Sequence, residues 1–335
     1  MSCYQQYLKT LHSVEAKRLV HLINEVNLKE LSLSKYNLDY IEKMKPTLFY
    51  FFQMFEFSIQ KLNIENSKEV EWIIDFGGGH GFLSLLLKLK GYKVIYCDYN
   101  SNSVHTINQL SNKLGFGPDY VVEGTSKELI EFVQHNKINV KYLISTDTIE
   151  HIFDLNDLFK DLIQLNNSIN LLFTTASNPK NIFKSYQLRK VMRKDEVEEF
   201  IPLRKEFIQT KHTQLSISEV NDLAIQSRGL RLIDLDDFVA YYLKNKKIKV
   251  IDIDPFNCCD PVSGSWTERI LPLEDYKELG RKYKLNCEIE NGFYCTIDKT
   301  GMKKKFVEGL NYLNLNSNHI GRITAPFVTL HFKSK

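Results

Sequence analysis

Apolar runs and amphipathic stretches alternate through the middle of this chain. Residues 71 to 175 contain short apolar runs, separated by stretches in which apolar residues recur at helical spacing. This alternation predicts an α/β fold with a parallel, doubly wound sheet. The strands are predicted at residues 71–75, 93–98, 118–123, 141–146 and 169–175.

The segments on either side of this alternation have a different character. Residues 1–68 carry apolar residues at helical spacing and predict an N-terminal helical region. Beyond the fifth strand, residues 269–335 predict a closing part of the fold, with a helix, a strand, a basic helix from residue 302 and a final strand. Residues 176–268 then form an insertion between the fifth strand and this closing part, and residues 69–175 form the core.

A glycine-rich turn follows the first predicted strand. The residues DFGGGHG run from Asp75 to Gly81, between a strand-like and a helix-like segment. Glycine accepts positive φ and lets a ligand approach the backbone, so this turn predicts a cradle of N–H groups for a nucleotide-type cofactor. The dinucleotide fingerprint G-x-G-x-x-G needs a further glycine where Phe82 stands, so nicotinamide cofactors are excluded.

The pattern D-x-G-x-G-x-G resembles motif I of the class I S-adenosylmethionine (SAM) dependent methyltransferases. The resemblance implies a SAM cofactor, a turn that wraps its methionyl end, and a Rossmann-like sheet of about seven strands with the last strand antiparallel. An acid such as Asp75 suits the ammonium group of SAM, whereas it would repel a pyrophosphate. The residues implied at this end of the cofactor are Asp75, Phe76, Gly77, Gly78, Gly79 and Gly81.

The ends of the second and third strands complete the predicted cofactor site. Asp98 ends the second strand, where a carboxylate can accept both ribose hydroxyls, and Tyr99 follows it. By resemblance to the same enzymes, Glu123, Gly124 and Thr125 after the third strand would face the adenine. A surface loop is the alternative for these three residues, because no pair of an acid and an aromatic residue stands there.

The end of the fourth strand carries the first candidate catalytic residues. The segment KYLISTDTIEHIFD places Asp147, Thr148, Glu150 and His151 at the carboxyl edge of the sheet, where α/β folds hold their ligands. It resembles the strand-four motif of ubiquinone-pathway O-methyltransferases, which implies a role for Asp147 and Thr148 in cofactor binding. Histidine titrates near neutral pH, so His151, with Glu150 beside it, is the candidate general base. Two alternatives stay open: Glu150 and His151 cap the next helix, or they bind a divalent metal with Asp147, although no metal ligand set can be named.

The insertion at 176–268 contains a second candidate base. His212 precedes Ser216 and Glu219, which form the pattern of a capping box at a helix start. Insertions after the fifth strand hang over the carboxyl edge, so this segment is predicted to cap the substrate site. The segment from Lys180 to Lys194 contains several Lys and Arg residues and no acid. These residues either bind an anionic acceptor or form a solvated helix face.

Composition adds few constraints. The chain has 335 residues, 43% of them hydrophobic, and its formal net charge of +3 is too small to indicate a polyanion partner. Its six cysteines include no C-x-x-C pair, so neither a zinc site nor a disulfide framework is predicted, and a reducing cytoplasm fits.

The N-terminus lacks an apolar signal core and no apolar stretch is long enough to span a bilayer, so a soluble protein without a membrane partner is predicted. Frequent Lys, Asn and Ile indicate an AT-rich, bacterial genome.

These features together predict a SAM-dependent methyltransferase with a small polar acceptor. Methyl transfer needs the acceptor atom in line with an already activated methyl group, and a hydroxyl acceptor must also lose a proton. The predicted acceptor is a hydroxyl of a carbohydrate, nucleotide-sugar or related metabolite, in carbohydrate biosynthesis. The alternatives are an RNA methyltransferase, although the strand-four signatures of nucleic-acid enzymes are missing, and a non-catalytic SAM-binding partner subunit. The oligomeric state stays open.

Overall fold

The computed structural model describes residues 2–64 and 71–334. Met1, residues 65–70 and Lys335, which belong to the predicted N-terminal, core and closing segments, lie outside the described residues. The central element is a seven-stranded sheet with the strand order β3-β2-β1-β4-β5-β7-β6. The strands are β1 (Trp72–Phe76), β2 (Lys93–Asp98), β3 (Tyr120–Glu123), β4 (Val140–Thr146), β5 (Asn170–Thr175), β6 (Leu285–Asn291) and β7 (Val328–Ser334).

The sheet is parallel in its first part and antiparallel in its last part. β1 pairs in parallel with β2 and β4, β2 with β3, and β4 with β5. β7 runs antiparallel to both β5 and β6. The carboxyl ends of β1 to β5 therefore meet at one edge of the sheet. The predicted Rossmann-like sheet of about seven strands with an antiparallel last strand is confirmed.

The third strand begins at Tyr120, later than the predicted start at residue 118. Pro118 has no N–H to donate to a strand ladder. Asp119 donates its N–H to the Val94 carbonyl (2.9 Å), but the N–H of Val94 donates to the Asp119 carboxylate (2.7 Å) rather than to a backbone carbonyl. Because a side chain replaces the backbone in this pairing, regular strand geometry starts only at the next residue.

Helices precede the sheet, connect its strands and build the insertion within the described residues. A 3-10 turn at Ile149–His151 and a π-helical segment at Glu196–Phe200 also bear on the site and on the insertion. The α-helices are α1 (Cys3–Thr10), α2 (Val14–Glu25), α3 (Lys35–Met44), α4 (Leu48–Lys61), α5 (Phe82–Leu89), α6 (Ser101–Leu114), α7 (Ser126–His135), α8 (Leu155–Leu162), α9 (Ile182–Asp195), α10 (Ile201–Lys211), α11 (Ile217–Gln226), α12 (Leu232–Asn245), α13 (Leu273–Lys282), α14 (Gly301–Asn316) and α15 (Asn318–Thr324).

Helix α5 shows why the N-terminal helices belong to the same core as the sheet. Its sequence FLSLLLKL is apolar on almost every side, and its residues from Phe82 to Leu87 are all buried. A single apolar cluster joins Leu86 of α5 to Ile73 of β1, and also to Ile23 of α2 and Phe52 of α4. A helix with apolar residues all round needs neighbours on both sides. The sheet supplies one and the N-terminal helices supply the other.

The chain separates into two compact units. Unit 1 comprises Met1–Thr148, Asn156–Thr175 and Glu274–Lys335, and holds all strands of the sheet and the N-terminal helices. Unit 2 comprises Ile149–Leu155 and Ala176–Leu273 and is mainly helical. Among the described helices, none has both the length and the apolar character that crossing a membrane requires.

A buried ion pair lies inside unit 2. Arg204 of α10 is fully buried, donates from Nε to the Ala224 carbonyl (3.0 Å) and pairs through Nη2 with Glu196. Nε of Arg228 lies 3.4 Å from the same oxygen of Glu196. Glu196 opens the π-helical segment, so an irregular turn of helix carries the acid that the buried guanidinium requires. The apolar core beside it contains Ile208, Val220, Leu223, Leu235, Phe238 and Val239.

Removal of Arg204 should destabilise unit 2 strongly. The substitution Arg204→Ala removes the buried partner of Glu196 and leaves only the partly exposed Arg228, at 3.4 Å, beside the buried carboxylate. We expect a loss of about 3 kcal/mol of unfolding free energy, the lower end of the range for a broken buried pair. Lys194→Ala is the matched control, because its pair with Glu198 (3.8 Å) is exposed and is worth at most about 1 kcal/mol. Urea unfolding followed by circular dichroism measures both variants. Equal losses in the two variants would contradict the assignment of Arg204.

Candidate functional site

The glycine turn between β1 and α5 is held against the end of β2. The N–H groups of Gly77 and Gly78 both donate to the carbonyl of Cys97, at 2.8 and 3.2 Å. Gly77 and Gly79 have φ values of 65° and 52°, a region that L side chains rarely adopt. The turn therefore depends on glycine for its backbone conformation, as the sequence predicted. The predicted cradle of N–H groups is wrong for its glycines, because the N–H groups of Gly77, Gly78, Gly79 and Gly81 all donate to acceptors within the fold.

Gly79 is the position in this turn that faces open space. A Cβ atom built on Gly77 would lie 2.5 Å from the Thr148 side chain, and one on Gly81 would lie 2.2 Å from Ile107. A Cβ atom on Gly79 would meet no atom within 4 Å. A Cβ atom on Gly78 would lie 2.6 Å from the Tyr96 ring. Three glycines of the turn are thus needed for packing inside unit 1, whereas the space in front of Gly79 is open to a ligand.

Asp75, at the carboxyl end of β1, caps helix α5. Its Oδ2 accepts hydrogen bonds from the N–H of Ser84 (3.0 Å) and from the Ser84 hydroxyl (2.7 Å). Gly81 is the N-cap residue of α5 and has no side chain that could cap the helix, so Asp75 takes this role. Oδ1 is buried without a hydrogen-bond partner among the described residues. Burial raises the pKa of Asp75 to about 7, and the nearby Asp98 adds to the rise.

Asp98, at the carboxyl end of β2, binds the backbone of the glycine turn. Its Oδ2 accepts the N–H of Gly79 (2.8 Å) and its Oδ1 accepts the N–H of Asn100 (2.8 Å). The carboxyl group is largely buried, which raises its pKa, while the two backbone N–H groups act in the opposite direction. Tyr99, the next residue, has 64% of its surface exposed.

The residues after β3 lie beside Asp98. Glu123 pairs in register with Asp98, and the N–H of Gly124 donates to the Asp98 carbonyl (3.0 Å). Thr125 is the N-cap residue of α7, and its hydroxyl donates to Glu128 (2.6 Å) in a capping box. The Thr125 hydroxyl therefore has a structural role, and the predicted contact of these residues with adenine stays a prediction.

The residues after β4 reach the glycine turn. Asp147 is exposed, has a φ of 49°, and donates its N–H to the carbonyl of Thr174 in β5 (3.0 Å). Thr148 packs on Gly77, and its hydroxyl lies 3.4 Å from the Gly77 carbonyl. All the predicted cofactor residues thus lie in unit 1, at the carboxyl ends of the first four strands or in the turns that follow them. They are Asp75, Phe76, Gly77, Gly78, Gly79, Gly81, Asp98, Tyr99, Glu123, Gly124, Thr125, Asp147 and Thr148.

Two aromatic residues that no motif indicated also belong to this region. The imidazole ring of His80, inside the glycine turn, stacks on the phenol ring of Tyr40 in α3, with 4.9 Å between centroids and 9° between planes. Burial lowers the pKa of His80 to about 4, so its ring is neutral at physiological pH. The pKa of Tyr40 is raised by burial and then by the charge of Asp147. Helix α3 therefore packs directly on the turn.

The charges at this edge favour a cation. Carboxyl groups of Asp75, Asp98 and Asp147 surround the turn, and the sequence from Asp75 to Leu87 contains no Lys or Arg. A pyrophosphate would meet these carboxyl groups without a compensating positive side chain in the turn. An ammonium or sulfonium group would be attracted instead.

The candidate base His151 lies in unit 2, in the 3-10 turn that follows Thr148. Its Nδ1 is 2.9 Å from the carbonyl oxygen of Trp266, and its own carbonyl accepts the N–H of Trp266 (3.0 Å). A carbonyl can only accept, so Nδ1 carries the proton and Nε2 of the neutral ring keeps a lone pair. Glu150 beside it is buried, and its carbonyl accepts the N–H of Arg269 (3.0 Å).

The second candidate, His212, has different surroundings within unit 2. It ends α10, and its Nε2 lies 3.2 Å from Oδ1 of Asp236 on α12, which also pairs with Lys211 (2.8 Å). The predicted capping box of Ser216 and Glu219 is present at the start of α11. His212 thus stands among the helices of the unit 2 core, whereas His151 is fixed by the loop around Trp266. No group of three or more His, Cys, Asp or Glu residues in the described parts of the chain is arranged to hold a metal ion.

No family model and no curated protein matches the sequence. Several solved structures are similar to this chain at low sequence identity. One is a SAM-dependent methyltransferase from Archaeoglobus fulgidus, which is 15% identical. The match covers 82% of this chain and 91% of that chain, with a TM-score of 0.38. Another, from Clostridium acetobutylicum, is 13% identical, with coverage of 82% and 89% and a TM-score of 0.39. Phosphoethanolamine N-methyltransferase 2 from Haemonchus contortus, in complex with SAM, is 13% identical, with coverage of 82% and 52% and a TM-score of 0.38. Likenesses this distant say nothing about the acceptor of this chain.

The stability of unit 1 should fall as pH rises from about 4 to about 7, because Asp75 holds its proton in the fold up to about pH 7 and loses it near pH 4 when unfolded. A difference of about three pKa units corresponds to about 4 kcal/mol of unfolding free energy. Asp75→Asn should remove this part of the slope, and Asp39→Asn, an exposed position on α3, should not. Urea unfolding at several pH values tests this, and an unchanged slope in Asp75→Asn would contradict it.

Proposed function

We propose that this chain is a SAM-dependent methyltransferase that acts on a small polar acceptor. The observation that carries the proposal is the glycine turn, in which Gly79 faces open space and donates its N–H to the carboxylate at the end of β2. A backbone that a ligand can approach, beside a carboxylate that can accept ribose hydroxyls, suits the nucleoside and amino-acid parts of SAM.

The residues of the turn fit the charge of this cofactor. The methionyl part would lie against the open face of the turn at Gly79, and Asp75 and Asp147 would favour its positive charge. Asp75 in particular has a buried oxygen without a partner, so a nearby cation would stabilise its ionised form. Asp98 would accept the ribose hydroxyls with lone pairs that the two backbone N–H groups leave free. When bound, SAM supplies an already activated methyl group.

The acceptor must be oriented and, if it is a hydroxyl, deprotonated. We assign the deprotonation to His151, because the Trp266 carbonyl fixes its tautomer with an unprotonated Nε2. A base held in one tautomer by a backbone carbonyl needs no rearrangement before it accepts a proton. Glu150 is a positioning residue in this proposal, and His212 is the second candidate for the base.

The acceptor is proposed to be a hydroxyl of a carbohydrate or nucleotide-sugar. Helix α9 in unit 2 supports an anionic acceptor, because Lys190, Arg193 and Lys194 are exposed along it and its first turn contains no acid. Arg189 of the same run is engaged with Asp254 and with the ring of Phe256, and Lys194 lies 3.8 Å from Glu198, so Lys190 and Arg193 are the more available members.

Gly79→Ala should weaken SAM binding without unfolding the protein. The added methyl group would occupy the open space in front of the turn, at a φ of 52°. Gly91→Ala is a close control, since Gly91 also has a positive φ (86°) and open space but lies in the turn between α5 and β2. Both substitutions carry a similar backbone strain, so only Gly79→Ala should lose affinity, by at least about ten-fold.

Isothermal titration calorimetry with SAM measures this difference, and thermal unfolding shows that both variants are folded. Absence of SAM binding by the unaltered protein would overturn the proposed function. Equal affinity in Gly79→Ala and Gly91→Ala would instead overturn the placement of the cofactor at Gly79.

His151→Gln should lower kcat by about 10²- to 10⁴-fold while SAM binding is kept, because a general base contributes a factor of this size. Turnover is measured as S-adenosylhomocysteine formed with an acceptor found in a screen of sugars and nucleotide-sugars. His105→Gln, at an exposed position on α6, is the control. A larger loss in His212→Gln than in His151→Gln would transfer the role of base to His212.

A further inference from the structure

Helix α14 presents an apolar stripe to solvent. Met302, Phe306 and Leu313 recur at the spacing of one helix face, and they are 88%, 73% and 44% exposed. The opposite face holds the buried residues Asn311 and Leu315. Single exposed apolar residues are ordinary, but a row along three turns of one helix indicates a surface that meets another apolar phase.

Lysines surround the first half of this stripe. Lys303, Lys304 and Lys305 follow Met302 directly, and all three are exposed. Lys304 has a distant partner in Glu308 (4.0 Å), whereas Lys303 and Lys305, on the two sides of the stripe, have no ion-pair partner in the described parts of the chain. The stripe and these lysines together are called the α14 surface.

The position of these lysines is unfavourable for the helix itself. The N-terminal end of a helix carries a partial positive charge, so cations there are destabilising and acids are stabilising. The first turn of α14 has no acid, and Thr300 makes no capping hydrogen bond with its side chain. An external anion at this end would offset both the helix dipole and the lysine charges.

A shallow recess at the start of α14 is lined by both apolar and lysine side chains. It is lined by Lys299, Met302, Lys303, Phe306 and Val307. The walls are apolar. Of the two lysines, Lys299 pairs with Asp298, whereas Lys303 has no ion-pair partner among the described residues. A small soluble anion would account for the lysines, but it would leave the exposed side chains of Met302 and Phe306 without a counterpart.

We infer that the α14 surface binds an anionic lipid surface, with the helix lying in the plane of the interface. Such helices place lysines toward the phosphate groups and large apolar residues toward the acyl chains. A second copy of the chain is a poorer partner, because α14 carries three consecutive lysines and a single acid, Glu308, which already lies 4.0 Å from Lys304 of the same helix. This inference adds a peripheral membrane partner, whereas the sequence alone predicted a protein without one, and it is independent of the proposed methyl transfer.

Vesicle flotation with the full chain tests the inference. Vesicles made of equal parts of phosphatidylcholine and phosphatidylglycerol should carry the protein upward, and vesicles of phosphatidylcholine alone should not. Binding should fall with added salt, because the lysine contribution is screened. Lys303→Glu/Lys305→Glu and Met302→Ser/Phe306→Ser should each weaken binding by at least about ten-fold.

The control variant is Lys247→Glu/Lys249→Glu, which makes the same charge change at exposed positions of unit 2 and should keep vesicle binding. Calorimetry with SAM and circular dichroism show that each variant is folded. The inference is wrong if the unaltered protein ignores anionic vesicles, or if the control loses as much binding as the α14 variants. Concentration-dependent self-association abolished by Met302→Ser/Phe306→Ser, or RNA binding abolished by Lys303→Glu/Lys305→Glu, without vesicle binding, would also overturn it.

Discussion

Two carboxylates buried at the tips of neighbouring strands hold the candidate site together. Burial of a carboxylate is costly unless N–H or O–H groups are directed at it. Asp98 receives the N–H of Gly79, and Asp75 receives the N–H and hydroxyl of Ser84 at the start of α5. These bonds fix the glycine turn relative to β2 and α5, so the open space at Gly79 depends on both acids.

The sheet was predictable because its signals are local. Each strand of the core is a short apolar run, and the runs alternate with helical periods, which is enough to predict a parallel sheet. The start of β3 was missed because the Asp119 side chain takes over a bond that a strand would make with its backbone. Nor does local periodicity tell which helices share a core. The packing of α2 and α4 on α5 follows from the apolar surface all round α5, and only the three-dimensional cluster makes that partnership visible.

The residues of the candidate site also divide into those with a local signal in the sequence and those without one. The positions of the glycine turn, Asp98 and Thr148 at strand ends were predictable, because each belongs to a short segment that follows an apolar run, while their role in cofactor binding stays a prediction. The stack of Tyr40 on His80 was not, since it joins a helix to a turn far along the chain and depends on how α3 packs. The tautomer of His151 is a similar case. It is set by a carbonyl in the loop around Trp266, and no spacing in the sequence links those two residues.

The N-terminal end of a helix favours a negative charge, and α5 has an acid at this end whereas α14 has lysines. The positive end of α5 lacks a side-chain cap of its own, and Asp75 supplies an acid from the neighbouring strand. The positive end of α14 carries three lysines and no acid in its first turn. In the first case the fold supplies an acid that bonds to the start of the helix, and burial raises its pKa to about 7, so it is fully charged only above that pH. In the second case no described acid stands in that turn, and Asp298, two residues before the N-cap, is paired with Lys299, so an anion from outside the chain would be stabilised there.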